Sequence, residues 1–596
     1  MEQVKTRAEI DQKYKWNLAD IFESDEKWEG AFNLVKAEIP VLKQFKGTLN
    51  DKNSLKEFFI KEHNVSLISE KLYVYAKMSR DQDNGNDTYV SMCDRAYSLL
   101  MLMETETAFV TPELTKLDDE TLLLWANEDV FKDNSLFLKG IVRNKKHLLS
   151  EKEERILAQT SEMANSFDTI FTMLDDVDMR FEDIQMADGT KQQLSHGRYG
   201  LLLQDKNRDI RKQAYESMYN AHINNINTLA ALYSSSVKKD VFYAKVRNFE
   251  SVLQGELFSG NIPLTVYSGL IEQVHNFLPQ MHRYVKLRQE LLGIKDGKMY
   301  DMYVPLIDVP DTNYTYDAAQ ELAKKALAPL GEDYVRLLER SFKENWIDVY
   351  ETKGKTSGAY SWGAYGVHPY MLLNYQGRLD DVFTLVHEAG HSMHTYYSDN
   401  SLPYEKAQYR IFVAEVASTV NEVLLLKYML KNTQDKKMKA YLLNHFIDQF
   451  RTTLFRQTMF AEFEWETHKM AENDEPLTVS VLNKIYGDLN RLYYGDGVET
   501  DKFIEAEWSR IPHFYRAFYV YQYATGFSSA VAIADMILNE GAPAVERYKN
   551  FLSSGGSDFP VELLKITGVD LSKPEPIISA LKVFEKTLEE FEGMVK

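Results

Sequence analysis

The sequence predicts a mainly α-helical protein with one small sheet beside its most informative motif. Long stretches place apolar residues three and four apart, with few Gly or Pro interruptions. Only residues 179–194 and 300–375 depart from that habit. No fixed-period repeat and no low-complexity linker is present, so the helices belong to packed bodies and not to a solenoid.

Glu23 to Ile39 and Ser54 to Met78 read as amphipathic helices. Ser91 to Phe109 follows, rich in Leu and Met; flexible thioethers at this spacing suit core filling better than ligation. Thr111-Pro112-Glu113 and Asp118-Asp119-Glu120 punctuate shorter helices. Leu148 to Phe167 has Ser150 as N-cap and Glu153 three residues on, the reciprocal capping pattern. Asp188-Gly189, between the extended segments Met179–Ile184 and Gln192–Leu194, signals a hairpin and a candidate boundary. Helical stretches resume at 205–247 and 263–292.

In the second extended region, Met302 to Leu306 reads as a short strand limited by Pro305. Gly354-Lys355-Thr356 mimics a phosphate loop, but that motif needs Gly at 349, where Val349 stands. The stretch 353–366 is instead a Gly/Tyr loop before a strand, Tyr370 to Tyr375, and Gln376-Gly377 turns the chain into the next helix. That strand reads either as an edge that an extended peptide can join or as part of an ordinary core hairpin. Beyond it the helical assignments are 405–432, 436–472, 500–509 and 512–538.

Composition narrows the function. At 596 residues the chain has room for about three to four domain-sized units. Lys and Arg total 69 against 89 Asp and Glu, a net charge of −20, which argues against nucleic acid and an anionic membrane surface. No stretch approaches 18 apolar residues, and no apolar run follows the N-terminus, so neither a membrane span nor a signal peptide is expected. One cysteine, Cys93, cannot form an internal disulfide; it reads as a packing residue in a cytoplasmic protein.

The chemistry concentrates at His387-Glu388-Ala389-Gly390-His391, an H-E-x-x-H pattern. Val382, Leu385, Val386, Ala389 and Met393 recur at helical spacing, and Asp380 and Asp381 suit the helix N-terminus. Residues four apart share a helix face, so His387 and His391 can hold one metal ion while Glu388 takes a proton from water. Two His and a carboxylate favour zinc, and a catalytic zinc needs a third protein ligand. The longer pattern H-E-x-x-H-x-x-G-x-x-H is excluded, because His394 and Tyr397 stand where Gly and His are required. His394 itself is one candidate, although a third ligand from the same helix crowds the first two. Glu415 is the better one, a lone carboxylate in Ile411 to Ser418 flanked by the small residues Ala414, Ala417 and Ser418. Glu422, seven residues on, reads as a partner for a ligand histidine or as a surface ion pair. Together these groups suit amide hydrolysis, which also needs a donor to the oxyanion. Pro512 to Gly526 supplies donors: His513, and Tyr515, Tyr519 and Tyr523 repeating every four residues along one stripe. Such a stripe is either core or a row of hydroxyls facing substrate.

These residues resemble oligoendopeptidase F of the thimet-oligopeptidase-like zinc peptidases. The matching motifs are His387 to His394, Ala414 to Ser418, His513-Phe514-Tyr515 running to Tyr523-Ala524-Thr525-Gly526, Tyr300 to Pro305, and Ser357 to Trp362. The resemblance implies a two-lobed helical body with a deep central channel, residues 1–200 forming a helical lobe and 201–596 the catalytic part. It implies zinc on His387, His391 and Glu415, internal cleavage of short unstructured peptides, and His513 and Tyr523 as donors, with Tyr519 toward substrate; Tyr515 is placed toward substrate by the stripe alone. The competing readings are a zinc amino- or carboxypeptidase on the same ligands, which needs a counter-charge such as Arg516 or Arg451, and a non-catalytic peptide-binding scaffold.

Overall fold

The computed structural model describes residues 4–308 and 312–596. It is helical, with five short strands among the described residues: β1 Ile184–Gln185, β2 Lys191–Gln192, β3 Ile347–Asp348, β4 Tyr360–Trp362 and β5 Tyr370–Leu372. The chain forms two compact units, each assembled from three stretches. The first takes 1–146, 311–429 and 533–569, and the second 147–310, 430–532 and 570–596. Position 200 therefore falls inside the second unit. The units are built by segments pairing across long sequence separations, which no local signal near 200 registers.

In the first unit, the helices Asp25–Leu42, Lys52–Gln82 and Asp87–Thr107 start where Ser24, Asp51 and Asn86 side chains accept otherwise orphaned backbone N–H groups. Their buried faces bring Trp28, Phe32, Val35 and Ile39 together with Leu55, Leu72 and Cys93. The Trp28 indole N–H donates to the Leu72 carbonyl at 2.9 Å, so the ring is buried without an unpaired donor. Ala364, Tyr370 and Leu372 join the same core. These N-terminal helices thus support the sheet from behind.

The sheet runs in the order β3-β5-β4, with β3 parallel and β4 antiparallel to β5. Tyr370–Leu372 is therefore the buried central strand and not an edge. The core-hairpin reading of this stretch holds, with β4 as the antiparallel partner, and the edge reading fails because the two-residue β3 covers the other side. The margin of the sheet is β4, half-buried, with Tyr360 opposite Leu372 and Trp362 opposite Tyr370. The preceding loop is fixed from within. Lys355 Nζ is fully buried, 2.8 Å from Asp348 Oδ1, and donates to the carbonyls of Asp348, Tyr350 and Leu373. Asn84 N–H donates to the Gly354 carbonyl at 2.8 Å. Gly354 has φ +82°, and a Cβ there would lie 2.2 Å from Asp83 Oδ1. The lysine that mimicked a phosphate loop is a structural tether.

The motif helix, Leu379–Ser401, begins where the Asp381 carboxylate accepts from the backbone N–H of Gln376 and Arg378. It packs under β4, with Ser361 and Ser392 hydroxyls 2.7 Å apart. The helix Ile411–Asn432 crosses it closely at Gly390, where a Cβ would stand 2.6 Å from the Ala417 carbonyl oxygen and from Ser418 Cα. The small side chains at 417 and 418 allow the approach, as their sequence suggests. Asn421 Nδ2 ties the pair by donating to the Val386 carbonyl at 3.1 Å.

In the second unit, the hairpin forms as expected: Ile184 pairs with Gln192, Gln185 with Lys191, and Met186 N–H donates to the Thr190 carbonyl. Ser150 and Glu153 make the predicted reciprocal cap. The stretch 205–247 is two helices, Arg208–Asn224 and Ile226–Val246, and 263–292 divides into Leu264–Asn276 and Leu278–Leu292. Met302 to Leu306 is not a strand. Its neighbourhood is spent on arginines: Asp301 pairs with Arg208 and Arg211, and the carbonyls of Asp301 and Val304 accept from the buried Arg288. The stretch 512–538 is also broken, into the 3₁₀ turn Pro512–Tyr515 and the helix Tyr521–Glu540. Among the described residues no helix is long and apolar enough to cross a membrane.

Candidate active site

The first unit brings His387, His391 and Glu415 together, with one ligand atom of each within 4.8 Å of the others. The two imidazoles sit one turn apart on one face, ring centroids 4.9 Å apart. Both Nε2 atoms lie 3.4 Å from Glu415 Oε2. Two ligands about 2.1 Å from one tetrahedral ion stand roughly 3.4 Å apart, so both histidine–glutamate separations and the donor types fit a zinc ion. Ser418 Oγ donates to Glu415 Oε2 at 2.9 Å and orients it. Glu422 Oε1 lies 2.5 Å from His387 Nδ1. A proton on Nδ1 donated to this carboxylate leaves Nε2 as the lone pair facing the ligand cluster.

The electrostatics follow from this crowding. Burial opposes a charge on His387, but hydrogen bonds to Glu415 and Glu422 override it and lift its pKa to about 10, so a metal ion bound at Nε2 would take the place of a proton there. Burial likewise opposes ionisation of Glu415, and the two imidazoles override it, holding the carboxyl well below the usual range. Glu388 differs. Burial raises its pKa, and His387 and His391 pull down without cancelling the rise. It is 6% exposed, and its Oε2 has no hydrogen-bond partner among the described residues. A buried carboxylate oxygen left over beside a ligand triad is where a proton acceptor for a nucleophilic water belongs.

His394 lies outside the ligand cluster. It is fully buried, stacked face to face on Tyr409 at 3.6 Å, and neither ring nitrogen has a partner among the described residues. Burial holds it neutral, with a pKa lowered to about 3. It is a packing residue, neither ligand nor partner to one. A second group with ligand-type side chains, Asp175, Asp176 and His196, lies in the other unit, where an Asp175 carboxylate oxygen is 2.9 Å from Nε2 of the buried His222.

The remaining candidates lie in the second unit, and the expected stripe is not the one that forms. His513, Tyr519 and Tyr523 gather, half-buried: His513 and Tyr519 rings are near-parallel at 6.3 Å, His513 and Tyr523 stand 6.1 Å apart, and the tyrosines 5.5 Å. Burial, aided by Arg516, lowers the pKa of His513. Tyr515 does not belong to this group. It is buried, packed 4.7 Å from Phe171 and 6.4 Å from Tyr233, so its proposed contact with substrate is replaced by a core role. The chain leaves the helical path between Tyr515 and Tyr521, which breaks the four-residue rhythm. Sequence reasoning also passed over Ser361, Ser392 and Gly390. Of these, Gly390 carried a signal, since a glycine inside a helix costs stability unless a neighbour needs the space.

Residues 201–583 match Peptidase family M3, and residues 113–181 match Oligopeptidase F. The chain belongs to peptidase family M3. Oligopeptidases are among its relatives. Oligopeptidase PepF of Bacillus subtilis is 44% identical over all of this chain and 89% of its own length. Group B oligopeptidase PepB of Streptococcus agalactiae is 41% identical over 99% of this chain and 98% of its own. Among solved structures, oligoendopeptidase-F from Enterococcus faecium superposes with a TM-score of 0.75 at 35% identity, covering 96% of this chain and 99% of that one. A peptidase described as putative from Chlamydophila abortus superposes with a TM-score of 0.93 at 36% identity, covering 99% and 100%. This M3 member is a metalloendopeptidase of the oligoendopeptidase F group, and it hydrolyses peptides.

Proposed function

We propose that the enzyme is a zinc endopeptidase that cuts short, unstructured peptides internally, with Glu388 as general base. The supporting observation is the placement of Glu388 Oε2, buried and without a partner among the described residues, beside His387, His391 and Glu415, whose donor types fit zinc. His387, His391 and Glu415 would hold the ion. Zinc, when bound, supplies a Lewis acid that polarises the scissile carbonyl and makes water acidic enough to attack at neutral pH. Glu388 takes the proton of the attacking water and delivers it to the departing amine. Glu422 keeps His387 in the tautomer that ligates. His513 and Tyr523 donate to the developing oxyanion, and Tyr519 steadies the substrate. The peptide enters extended and adds to the outer side of β4, whose inner side is paired with β5. The lone, buried Cys93 suits the cytoplasm, where such peptides arise.

A substrate read as a strand must be locally unfolded and needs neither free terminus. The test uses one internally quenched peptide blocked at both ends, and the same sequence set as a linker between two stable folded domains. We expect the blocked peptide to be cleaved, its cleavage to stop with a chelator and return with zinc, and the flanked linker to be spared. Cleavage that requires a free terminus would turn the reading to an exopeptidase, and equal rates on both substrates would remove the restriction to short peptides.

A further inference from the structure

Among the described residues, five other than glycine take a positive φ. Four are Asn or Asp, which visit the left-handed region readily; the fifth is Phe518, at φ +54°. A bulky aromatic residue stays there only where its surroundings over-determine it, and such positions gather at functional sites. Here the surroundings hold it at both ends. The Phe518 N–H donates to Glu464 Oε1 at 2.9 Å, in the interior. The ring packs 4.7 Å from His468 and 5.6 Å from Tyr267, both buried.

Glu464 is itself unusual. It is fully buried, with no ion-pair cation, and its second oxygen has no partner among the described residues. Burial raises its pKa well above the ordinary carboxylate value, with Asp240 and Glu256 adding to the rise and the Phe518 N–H opposing it. A buried carboxyl is costly, and among the described residues this one's side chain bonds only to one turn of backbone.

That turn decides which rings meet. On an unbroken helix from 512, Tyr515, Tyr519 and Tyr523 would share one stripe. With Phe518 left-handed, Tyr515 goes to the core, and His513 takes its place beside Tyr519 and Tyr523. We propose that Glu464 is a positioning residue, which by holding Phe518 left-handed sets Tyr519 against His513 and Tyr523. Its bearing on catalysis rests on the reading above that this group contacts the substrate.

The test separates placement from activity. Placement is read by ¹⁹F NMR of zinc-loaded enzyme carrying 3-fluorotyrosine at position 519. Activity is read as kcat/KM on the blocked peptide for Glu464→Gln, Glu464→Leu, Tyr519→Phe and the Leu/Phe double variant. Gln keeps a carbonyl acceptor, so Glu464→Gln should match wild type in both readouts. Glu464→Leu should shift or broaden the fluorine signal with zinc content unchanged, and kcat/KM should fall roughly 10²-fold, the cost of about 1 Å of misplacement. If Glu464 acts through Tyr519, the double variant should be no worse than the poorer single variant. A folded Glu464→Leu with an unmoved fluorine signal would overturn the proposal, and so would losses that simply add when Tyr519→Phe is itself impaired. A moved signal in Glu464→Leu, together with full activity of Tyr519→Phe, would leave the positioning standing and remove the substrate role of Tyr519. Should Glu464→Leu not fold, Phe518→Val reaches the same turn with Glu464 intact, because a β-branched residue resists positive φ. It must move the same signal.

Discussion

Three carboxylates within one cluster are sorted by their neighbours. Glu415 faces two imidazoles and is held ionised, as a ligand must be. Glu422 faces the far nitrogen of His387 at 2.5 Å, where it can accept that nitrogen's proton while the near one turns to the cluster. Glu388 is buried with an oxygen unspent, which suits a base. His394, by contrast, gives its ring to Tyr409. Glu415→Ala should therefore lower zinc affinity strongly, by more than the roughly 10- to 100-fold typical of losing a partner behind a ligand. His394→Ala should lower stability and leave zinc affinity nearly unchanged. Competition against a chelating dye measures both, and an emptied site in His394→Ala with a full one in Glu415→Ala would mean the ligand set is wrong.

At the scale of elements, the site depends on one helix crossing. The Leu379–Ser401 and Ile411–Asn432 helices meet at Gly390, and the neighbour a Cβ would strike is backbone, which cannot rotate away. Gly390→Ala should force the helices apart, at a cost in the upper part of the ~1–3 kcal/mol usual for overpacking, and weaken zinc binding by moving Glu415. Thermal unfolding with metal titration checks this; unchanged values for both would show that the crossing is slack. The motif helix was legible in the sequence because its signals are local: a four-residue spacing, an apolar face, acids at the N-terminus. The crossing was half legible, through Ala414, Ala417 and Ser418. The sheet margin was not, since β5 becomes central only by pairing with the two residues of β3. Nor was the exchange of Tyr515 for His513, because the hydrogen bond behind it links Phe518 to a residue 54 positions away.

Over the whole molecule, each unit draws on three stretches, and its stability draws on polar groups that meet only after distant segments pack. Glu507 is the clearest case in the second unit. It is 1% exposed and accepts from Tyr219 at 2.9 Å, Tyr486 at 2.5 Å and Arg456 at 2.8 Å, with Arg510 at 3.5 Å. Burial opposes its ionisation, yet Arg456 and Arg510 override it and lower its folded pKa below 4.5. A depressed carboxylate stabilises the fold above its unfolded pKa and loses that contribution as pH falls through the folded value. Glu507→Gln should cost about 3–5 kcal/mol near pH 7, because it leaves buried guanidinium groups unpaired. The gap between wild type and variant should narrow below about pH 4.5, where the wild-type group takes up its proton. Unfolding followed at neutral and acid pH tests this, and a gap independent of pH would contradict it.

The central claim is that Glu388 moves the proton while His387, His391 and Glu415 hold the metal, and one comparison separates the two jobs. Glu388→Gln keeps the size and burial of the side chain but cannot accept a proton. Zinc content and single-turnover cleavage of the blocked peptide should be measured on the same preparation. Wild type and variant are both expected to hold one zinc per chain, with cleavage by the variant almost abolished. Near-normal cleavage by the zinc-replete variant would contradict it.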